Sequence, residues 1–335
     1  MTLRFIAAAG LVALAAATPR TAAAEQITIA TSQLLAYVAV PIMLDKGFLA
    51  EEGLEAKLVT FDSAQPITVA VAAGDADFGV GGLSAAFFNL AGSGQLRIIA
   101  AGTREMPGFY NFAILASNRA VSAGLKSLKD LPGRTVGVTQ LGTTLEYSLG
   151  RLAEIERLDF KAIRVSPLQS NSNVISALTG GQIDAAVMPG APTEPSVARG
   201  DFQRLAWVCD VVPGVQNNVA FTSTRLADEH PDIVNRFLMA YRKASRLYHD
   251  AVAGADEHRR DGSGLADVLP ILAKFAKLTP EQAKRALPWV DGEARVDTAD
   301  VARQVAWFRA HGMIKGDADA ASLVDARFAV TLPVR

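Results

Sequence analysis

The residues best suited to grip a ligand in this sequence carry no charge. Four short segments, Thr31-Ser32-Gln33, Gly81-Gly82-Leu83-Ser84, Thr139 to Thr144 and Met188 to Ala191, combine glycines with hydroxyl and amide side chains and hold no Asp, Glu, His, Lys or Arg. Backbone N–H groups at helix starts, helped by hydroxyls, can hold a small anion without a side-chain charge. Thr143-Thr144-Leu145-Glu146 has the capping-box pattern of such a start. The candidate ligand contacts are therefore Thr31, Ser32, Gln33, Tyr37, Gly82, Ser84, Gln140, Thr143, Thr144, Met188 and Asn218. Arg104 follows the strand Ile98 to Ala101 and is the candidate cation; its other reading is a solvated pair with Glu105. Tyr37, Phe109 and Tyr110 can supply a flat apolar wall or simply fill core.

Catalytic patterns are thin. Gly82-Leu83-Ser84-Ala85-Ala86 resembles a nucleophile elbow, but Ala86 stands where that motif needs Gly. The four histidines, His230, His249, His258 and His311, fall in polar helical or loop segments of the C-terminal part, so no base is placed for Ser84. There is no Walker A sequence, and Gly79-Val80-Gly81 lacks the third Gly and the acidic residue of a dinucleotide fingerprint. One cysteine, Cys209, excludes a disulfide framework and any zinc site of several thiolates. It lies in Ala206-Trp207-Val208-Cys209, read as a buried strand. The expectation is a binding protein and not an enzyme, with no cofactor and no metal.

The elements that must position these loops come in two copies. Ala73-Gly74-Asp75-Ala76-Asp77-Phe78-Gly79-Val80 is matched by Gly180-Gly181-Gln182-Ile183-Asp184-Ala185-Ala186-Val187, with Gly, Asp and Val recurring 107 positions apart. Ile67 and Ala70 pair with Val174 and Ala177 at the same offset, whereas TIAT at Thr28 to Thr31 resembles VGVT at Val136 to Thr139 at an offset of 108. Each copy reads strand, helix, strand, helix, strand. The helices expected are Val38 to Leu49, Ile67 to Ala73, Leu145 to Arg157 and Val174 to Thr179. Such alternation implies a mostly parallel sheet wound by right-handed crossovers, and two copies imply two α/β lobes. Ligands of wound sheets sit beyond the carboxyl ends of the strands, which is where the four neutral loops fall. After Phe221 the pattern becomes helical, with helices over Val268 to Lys277, where Pro270 is placed in the first turn, and Thr298 to His311.

The chain has 335 residues, 50% hydrophobic, with a formal charge of −1. That excludes dominant disorder and gives no attraction for nucleic acid or an anionic membrane. Met1 to Arg4 is a short basic start, Phe5 to Ala17 an apolar run, and Ala22-Ala23-Ala24 a small-residue cleavage pattern. The run is too short to span about 30 Å of hydrocarbon and fits a cleavable export signal over 1–24. Its loss removes Arg4 and Arg20, so the mature chain carries about two more net negative charges. No later stretch reaches about 18 uninterrupted apolar residues, so no membrane anchor is expected.

Pro41-Ile42-Met43-Leu44-Asp45-Lys46-Gly47-Phe48, Glu52-Gly53-Leu54-Glu55 and the Ala73 to Gly79 segment resemble the N-terminal signature of ABC-importer substrate-binding proteins for sulfonates, nitrate and thiamine pyrimidine precursors. Leu128 to Val138 resembles the start of that family's second lobe, and His230 to Phe237 its return helix. The resemblance implies a two-lobed type II periplasmic-binding-protein fold, with residues 25–114 and 222–335 in lobe 1 and 115–221 in lobe 2. It places the crossings near Asn111 to Ser117 and Val219 to Thr224, and returns the C-terminal helices to the first lobe. It implies a periplasmic monomer that hands a small solute to an ABC permease and ATPase. The neutral cleft suits a sulfonate-like anion; an aromatic carboxylate, a thiamine pyrimidine precursor, or a same-fold biosynthetic enzyme are the alternatives. The enzyme branch that sacrifices its own His carries a cysteine-rich segment, which the lone Cys209 does not provide.

Overall fold

A computed structural model of the chain describes residues 24–315 and 319–333. The segment expected to be an export signal, apart from Ala24, lies outside the described residues. The strands are β1 (Glu25–Thr31), β2 (Leu54–Thr60), β3 (Phe78–Gly82), β4 (Leu96–Ala101), β5 (Thr103–Arg104), β6 (Phe112–Ser117), β7 (Thr135–Val138), β8 (Arg164–Pro167), β9 (Ala185–Pro189), β10 (Phe202–Trp207), β11 (Asn218–Ser223) and β12 (Trp289–Val290).

Two five-stranded sheets form the two lobes, ordered β2-β1-β3-β11-β4 and β10-β6-β9-β7-β8. In the first, β1 is parallel to β2 and β3, and β11 runs antiparallel between β3 and β4. The second has the same plan: β7 is parallel to β8 and β9, and β6 runs antiparallel between β9 and β10. The antiparallel strand of the first sheet is thus the one the chain adds on its way back from the second. The expected crossing segments turn out to be mostly strands β6 and β11 themselves. The chain changes lobe just before each, in residues 105–111 and 208–217, where Arg104 bridges Gln216 and Gly214 N–H donates to the Glu105 carbonyl at 2.7 Å.

The repeat is visible in the pairing register, and it corrects the offset of the first strand. Ile29 lies opposite Phe78 and Val136 opposite Ala185, so β1 matches β7 at 107 positions throughout and Thr28 corresponds to Thr135, not Val136. The recurring aspartates explain themselves in this register. Asp77 Oδ2 accepts the Thr28 N–H at 2.7 Å, and Asp184 Oδ2 accepts the Thr135 N–H at 2.9 Å. Each carboxylate satisfies an N–H just before the parallel pairing of β1 with β3, or of β7 with β9, begins. Asp77→Ala and Asp184→Ala should each cost about 1.5–3 kcal/mol, the range for hydrogen bonds to a charged group. Because they sit in different sheets, the two losses should add in urea unfolding.

Other elements depart from the expectations in instructive ways. The helix expected over Val38 to Leu49 is Ala39–Asp45 followed by Phe48–Glu51, divided at Gly47, whose φ of 72° no helix continues through. Cys209 is buried as expected but sits in the short helix Val208–Val211, because β10 stops at Trp207. The helix Leu265–Ala276 starts earlier than expected, which puts Pro270 at its sixth residue and not in its first turn.

The return helix Pro231–Val252 packs on the first sheet, with Phe237 stacked on Phe78 at 3.9 Å and the Tyr241 hydroxyl donating to the Ala101 carbonyl. The last helix, Thr298–Ala310, does not return to the first lobe alone. Its Trp307 meets Tyr147 and Phe160 of the second lobe, while Phe308 meets Phe88 of the first. Among the described residues no helix is long and apolar enough to cross a membrane.

Candidate ligand-binding site

A cavity of about 60 Å³, partly open to solvent, lies between the lobes, beyond the carboxyl ends of the parallel strands. Its lining carries the repeat into the site. Ser32 and Thr139, Ala36 and Thr143, Tyr37 and Thr144, Ala64 and Asn171, and Gly82 and Pro189 all line it, and the members of each pair are 107 positions apart. Phe112 and Asn218, the first residues of the two antiparallel strands, complete the correspondence. Each lobe therefore offers the same strand ends and helix starts to one small space, with different side chains on them.

Two helix N-termini reach the cavity without side-chain caps. Ser63 precedes the helix Ala64–Ala73 and Thr143 precedes Thr144–Ile155, and neither caps its helix with its hydroxyl. The capping box expected at Thr143 is not formed: its hydroxyl donates to the Gln140 carbonyl at 3.0 Å, and Glu146 accepts the Gly142 N–H instead. First-turn N–H groups from both lobes are thereby left for a ligand, with the positive ends of two helix dipoles behind them.

The lobes meet directly around this space. Ala85 N–H donates to the Gly142 carbonyl at 2.8 Å, Gln65 Nε2 to the Leu141 carbonyl at 3.1 Å, and Ser84 bridges Thr143. Thr144 Oγ1 lies 3.6 Å from the point a Cβ on Gly82 would occupy, so it faces across the cleft. Burial pushes the Tyr37 phenol up to about 12, partly offset by the Ser32 hydroxyl and the Gly82 backbone, so it remains a neutral donor at physiological pH. The amide oxygens of the lining residues Asn171 and Asn217 are buried without a hydrogen-bond partner, and the Ser32 hydroxyl, beside the Tyr37 phenol, has none in good geometry. The charged lining residue is Asp62, which is exposed at the rim; among the described residues no Arg, Lys or His lines the cavity.

Of the sequence candidates, the structure gathers Ser32, Tyr37, Gly82, Thr143, Thr144 and Asn218 around the cavity. Asn218 serves as a wall, since its amide is spent on Thr103 and on the Ala36 carbonyl. The others lie elsewhere. Thr31 donates to the Val80 carbonyl, Ser84 caps its own helix at Phe87, and Met188 is buried in the second lobe's core. Gln33 is exposed, and Gln140 offers its backbone carbonyl to Thr143 outside the lining. Arg104 turns away from the cleft. It pairs with Asp297 at 3.3 Å, lies 4.6 Å from the Trp289 ring, and lines a separate hollow with Met106 and Arg295. Of the three aromatics only Tyr37 lines the cavity; Phe109 is core, and Tyr110 stacks on Trp207.

Sequence reasoning missed Leu34, Ala36, Asp62, Ser63, Ala64, Phe112, Leu145, Asn171 and Asn217. The repeat held a signal for one group of these. Carried through the helix starts, the 107-residue offset pairs Ser63 with Ser170, both N-cap positions, and so pairs Ala64 with Asn171.

Residues 36–252, more than half of the chain, match the family described as NMT1/THI5 like. The chain belongs to that family. Among curated proteins no sequence matches it. Solved structures similar to it include the ligand-binding component of an ABC-type import system from Staphylococcus aureus, at 15% identity and a TM-score of 0.72, covering 91% of this chain and 97% of that one. The alkanesulfonate-binding protein SsuA from Xanthomonas axonopodis pv. citri, bound to MOPS, has 18% identity and a TM-score of 0.70 over 91% and 99% of the two chains. The periplasmic nitrate-binding protein NrtA from Synechocystis PCC 6803 has 13% identity and a TM-score of 0.69 over 89% and 84%. At these identities the likeness establishes the fold, that of the periplasmic binding proteins.

Proposed function

We propose that this NMT1/THI5-like protein is a periplasmic receptor that closes its two lobes over a small organic anion, sulfonate-like in its head group, and delivers it to an ABC import permease. The observation that carries this reading is the convergence of two uncapped helix N-termini, one per lobe, on one interlobe cavity lined by hydroxyls and amides and, among the described residues, by no cationic side chain. Such a site matches an anionic head by N–H groups and dipoles, which costs less reorganisation than a buried cation. The sulfonate and nitrate receptors with this fold bind solutes of that chemistry. The export pattern of residues 1–24 supports a periplasmic address, and the energy and the channel for transport come from other chains. The receptor acts as a monomer and needs no cofactor.

Native mass spectrometry of protein taken from the periplasm should release a small anion, and methanesulfonate should raise the melting temperature. Thr144→Val and Ser32→Ala should each weaken binding about five- to tenfold, the loss of roughly one hydrogen bond. A protein that stays empty and unshifted against sulfonates, nitrate and small carboxylates would sink this reading.

A further inference from the structure

Beside the cavity the lobes are joined through backbone, by residues outside its lining. Gly142 of the second lobe gives its carbonyl to the Ala85 N–H at 2.8 Å, and its neighbour Leu141 gives its carbonyl to Gln65 Nε2 at 3.1 Å. Ala85 is the first residue of the helix Ala85–Gly92, whose N-cap Ser84 already accepts the Phe87 N–H. A helix leaves its first-turn N–H groups without internal partners, so at Ala85 the second lobe supplies a cap to a helix of the first. The approach depends on glycine. Gly142 has a φ of 70°, and a Cβ there would stand 3.1 Å from Ala85 Cβ.

The turn is held for this contact from within its own lobe. Glu146 is buried, and its Oε2 accepts the Gly142 N–H at 2.6 Å. That N–H and the Leu141 carbonyl belong to one peptide plane, so the carboxylate fixes the orientation of the oxygen that Gln65 takes. It also polarises the peptide and strengthens that oxygen as an acceptor. The Thr143 hydroxyl, donating to the Gln140 carbonyl at 3.0 Å, ties down the other side of the turn.

What the shared fold requires recurs in both copies of the repeat, as the Asp77 and Asp184 bonds do. This set does not recur. At 107 positions from Ala85 stands Pro192, which has no N–H to offer, and the counterparts of Gly142 and Glu146 are Leu35 and Ala39. We propose that the Leu141–Gly142 turn is a closing latch, with Glu146 as its positioning residue: its two hydrogen bonds to the first lobe draw the lobes together whether or not a solute is bound. When the lobes part, both donors and both carbonyls return to water, so each bond favours the joined form by the modest factor of an intramolecular hydrogen bond. Part of the free energy of closure then comes from residues that never meet the solute, and affinity depends on them. That last consequence rests on the receptor reading; the latch itself does not.

Ala85→Pro removes the latch with little harm to the helix. Proline is well accepted at the first helical residue, and Ser84 before it is already extended, at φ −151° and ψ 162°. The substitution deletes the donor and sets a ring carbon against the Gly142 carbonyl. Spin labels at Val69 and Ser176, exposed positions 107 apart on one helix of each lobe, report the separation, and the chain's own thiol, Cys209, is buried. Without solute, the wild-type protein should show a short-distance population that Ala85→Pro depletes about fivefold or more in favour of a longer distance. Gln65→Ala and Glu146→Ala should deplete it about threefold, whereas Glu146→Gln, which keeps an acceptor for the Gly142 N–H, should retain it. With methanesulfonate, Ala85→Pro should bind up to about tenfold more weakly.

Unchanged distances in Ala85→Pro overturn the latch; should that variant not fold, unchanged distances in Gln65→Ala and Glu146→Ala do so. Equal losses in Glu146→Ala and Glu146→Gln overturn the positioning role of Glu146. A longer distance with unaltered methanesulfonate affinity overturns the link from latch to binding. Distances that shift as expected in a protein that binds no methanesulfonate support the latch and overturn the receptor reading instead.

Discussion

Gly82→Leu is expected to abolish solute binding, by a thousandfold or more, in a protein that still folds. Gly82 ends β3 beside Asn218 of β11, with no φ in the left-handed region, so the backbone accepts an L-residue there. A Cβ at this place would meet Ala64 Cβ at 3.4 Å, the Asn217 carbonyl at 3.6 Å and Thr144 Oγ1 at 3.6 Å, all ordinary contacts. Alanine is therefore tolerated, and Gly82→Ala should bind with at most a modest loss. The atoms beyond Cβ are what matter. They run into a cavity of about 60 Å³ whose far wall, Thr144, belongs to the other lobe. A leucine there both fills the space and holds the lobes apart, so it removes the ligand's room and the closure that buries it. A thousandfold loss is about 4 kcal/mol, within reach of a steric block and beyond any single hydrogen bond. Calorimetry with the solute released from the native protein measures it, and unchanged circular dichroism and melting of the empty variant checks the fold. Affinity within tenfold of wild type would show that the solute sits somewhere else.

The placing of Gly82 against Thr144 is set by the fold, yet much of the site was legible in the chain. Glycine, aspartate and valine recurring at 107 positions announced two copies of one wound unit, and the rule that ligands sit beyond the strands' carboxyl ends pointed to Ser32, Gly82 and Thr144. The TIAT and VGVT likeness misled by one position because short apolar strands tolerate a slip in spelling. The structure ties Thr28 to Asp77 and Thr135 to Asp184, a bond between residues 49 apart that single-sequence pattern does not reveal.

The losses share a cause. Hydroxyls and amides near a strand end can face the ligand or satisfy the backbone, and sequence does not say which. Thr31 and Ser84 went to the backbone, whereas Ser32 stayed open. Arg104 was drawn away by Asp297 and Trp289, both nearly two hundred residues later in the chain. Asn217 and Glu105 belong to different crossings, and only the side-by-side packing of those crossings makes them neighbours.

The family-like segment Ala73 to Gly79 has a further physical explanation, and it yields the second large prediction: Gly79→Ala should destabilise the protein by about 2 kcal/mol. Glycine inside a strand is ordinarily a weakness, and replacing it should gain about 0.5–1 kcal/mol of backbone entropy. Here packing reverses the sign. Phe221, on the strand that returns from the second lobe, lies directly opposite Gly79 and lays its ring across it. An added Cβ would stand 2.3, 2.5 and 2.8 Å from three atoms of that ring. The ring is fully buried and sits edge-on to Phe87 at 5.1 Å, so it has nowhere to retreat. Overpacking of this kind costs up to about 3 kcal/mol, more than the entropy returned. The glycine is thus the socket that seats β11, the only strand the first sheet takes from beyond the second lobe, and losing the fit loosens the join between the lobes' chain paths. Phe221→Leu alone leaves part of the socket empty and should itself be destabilising, by about 1–2 kcal/mol. Combined with Gly79→Ala, the smaller side chain vacates the space the new methyl needs, so the double variant should be more stable than the sum of the singles by at least about 1 kcal/mol. Urea unfolding of the four proteins closes the cycle, and additivity within about 0.5 kcal/mol would mean that the ring and the glycine do not constrain each other.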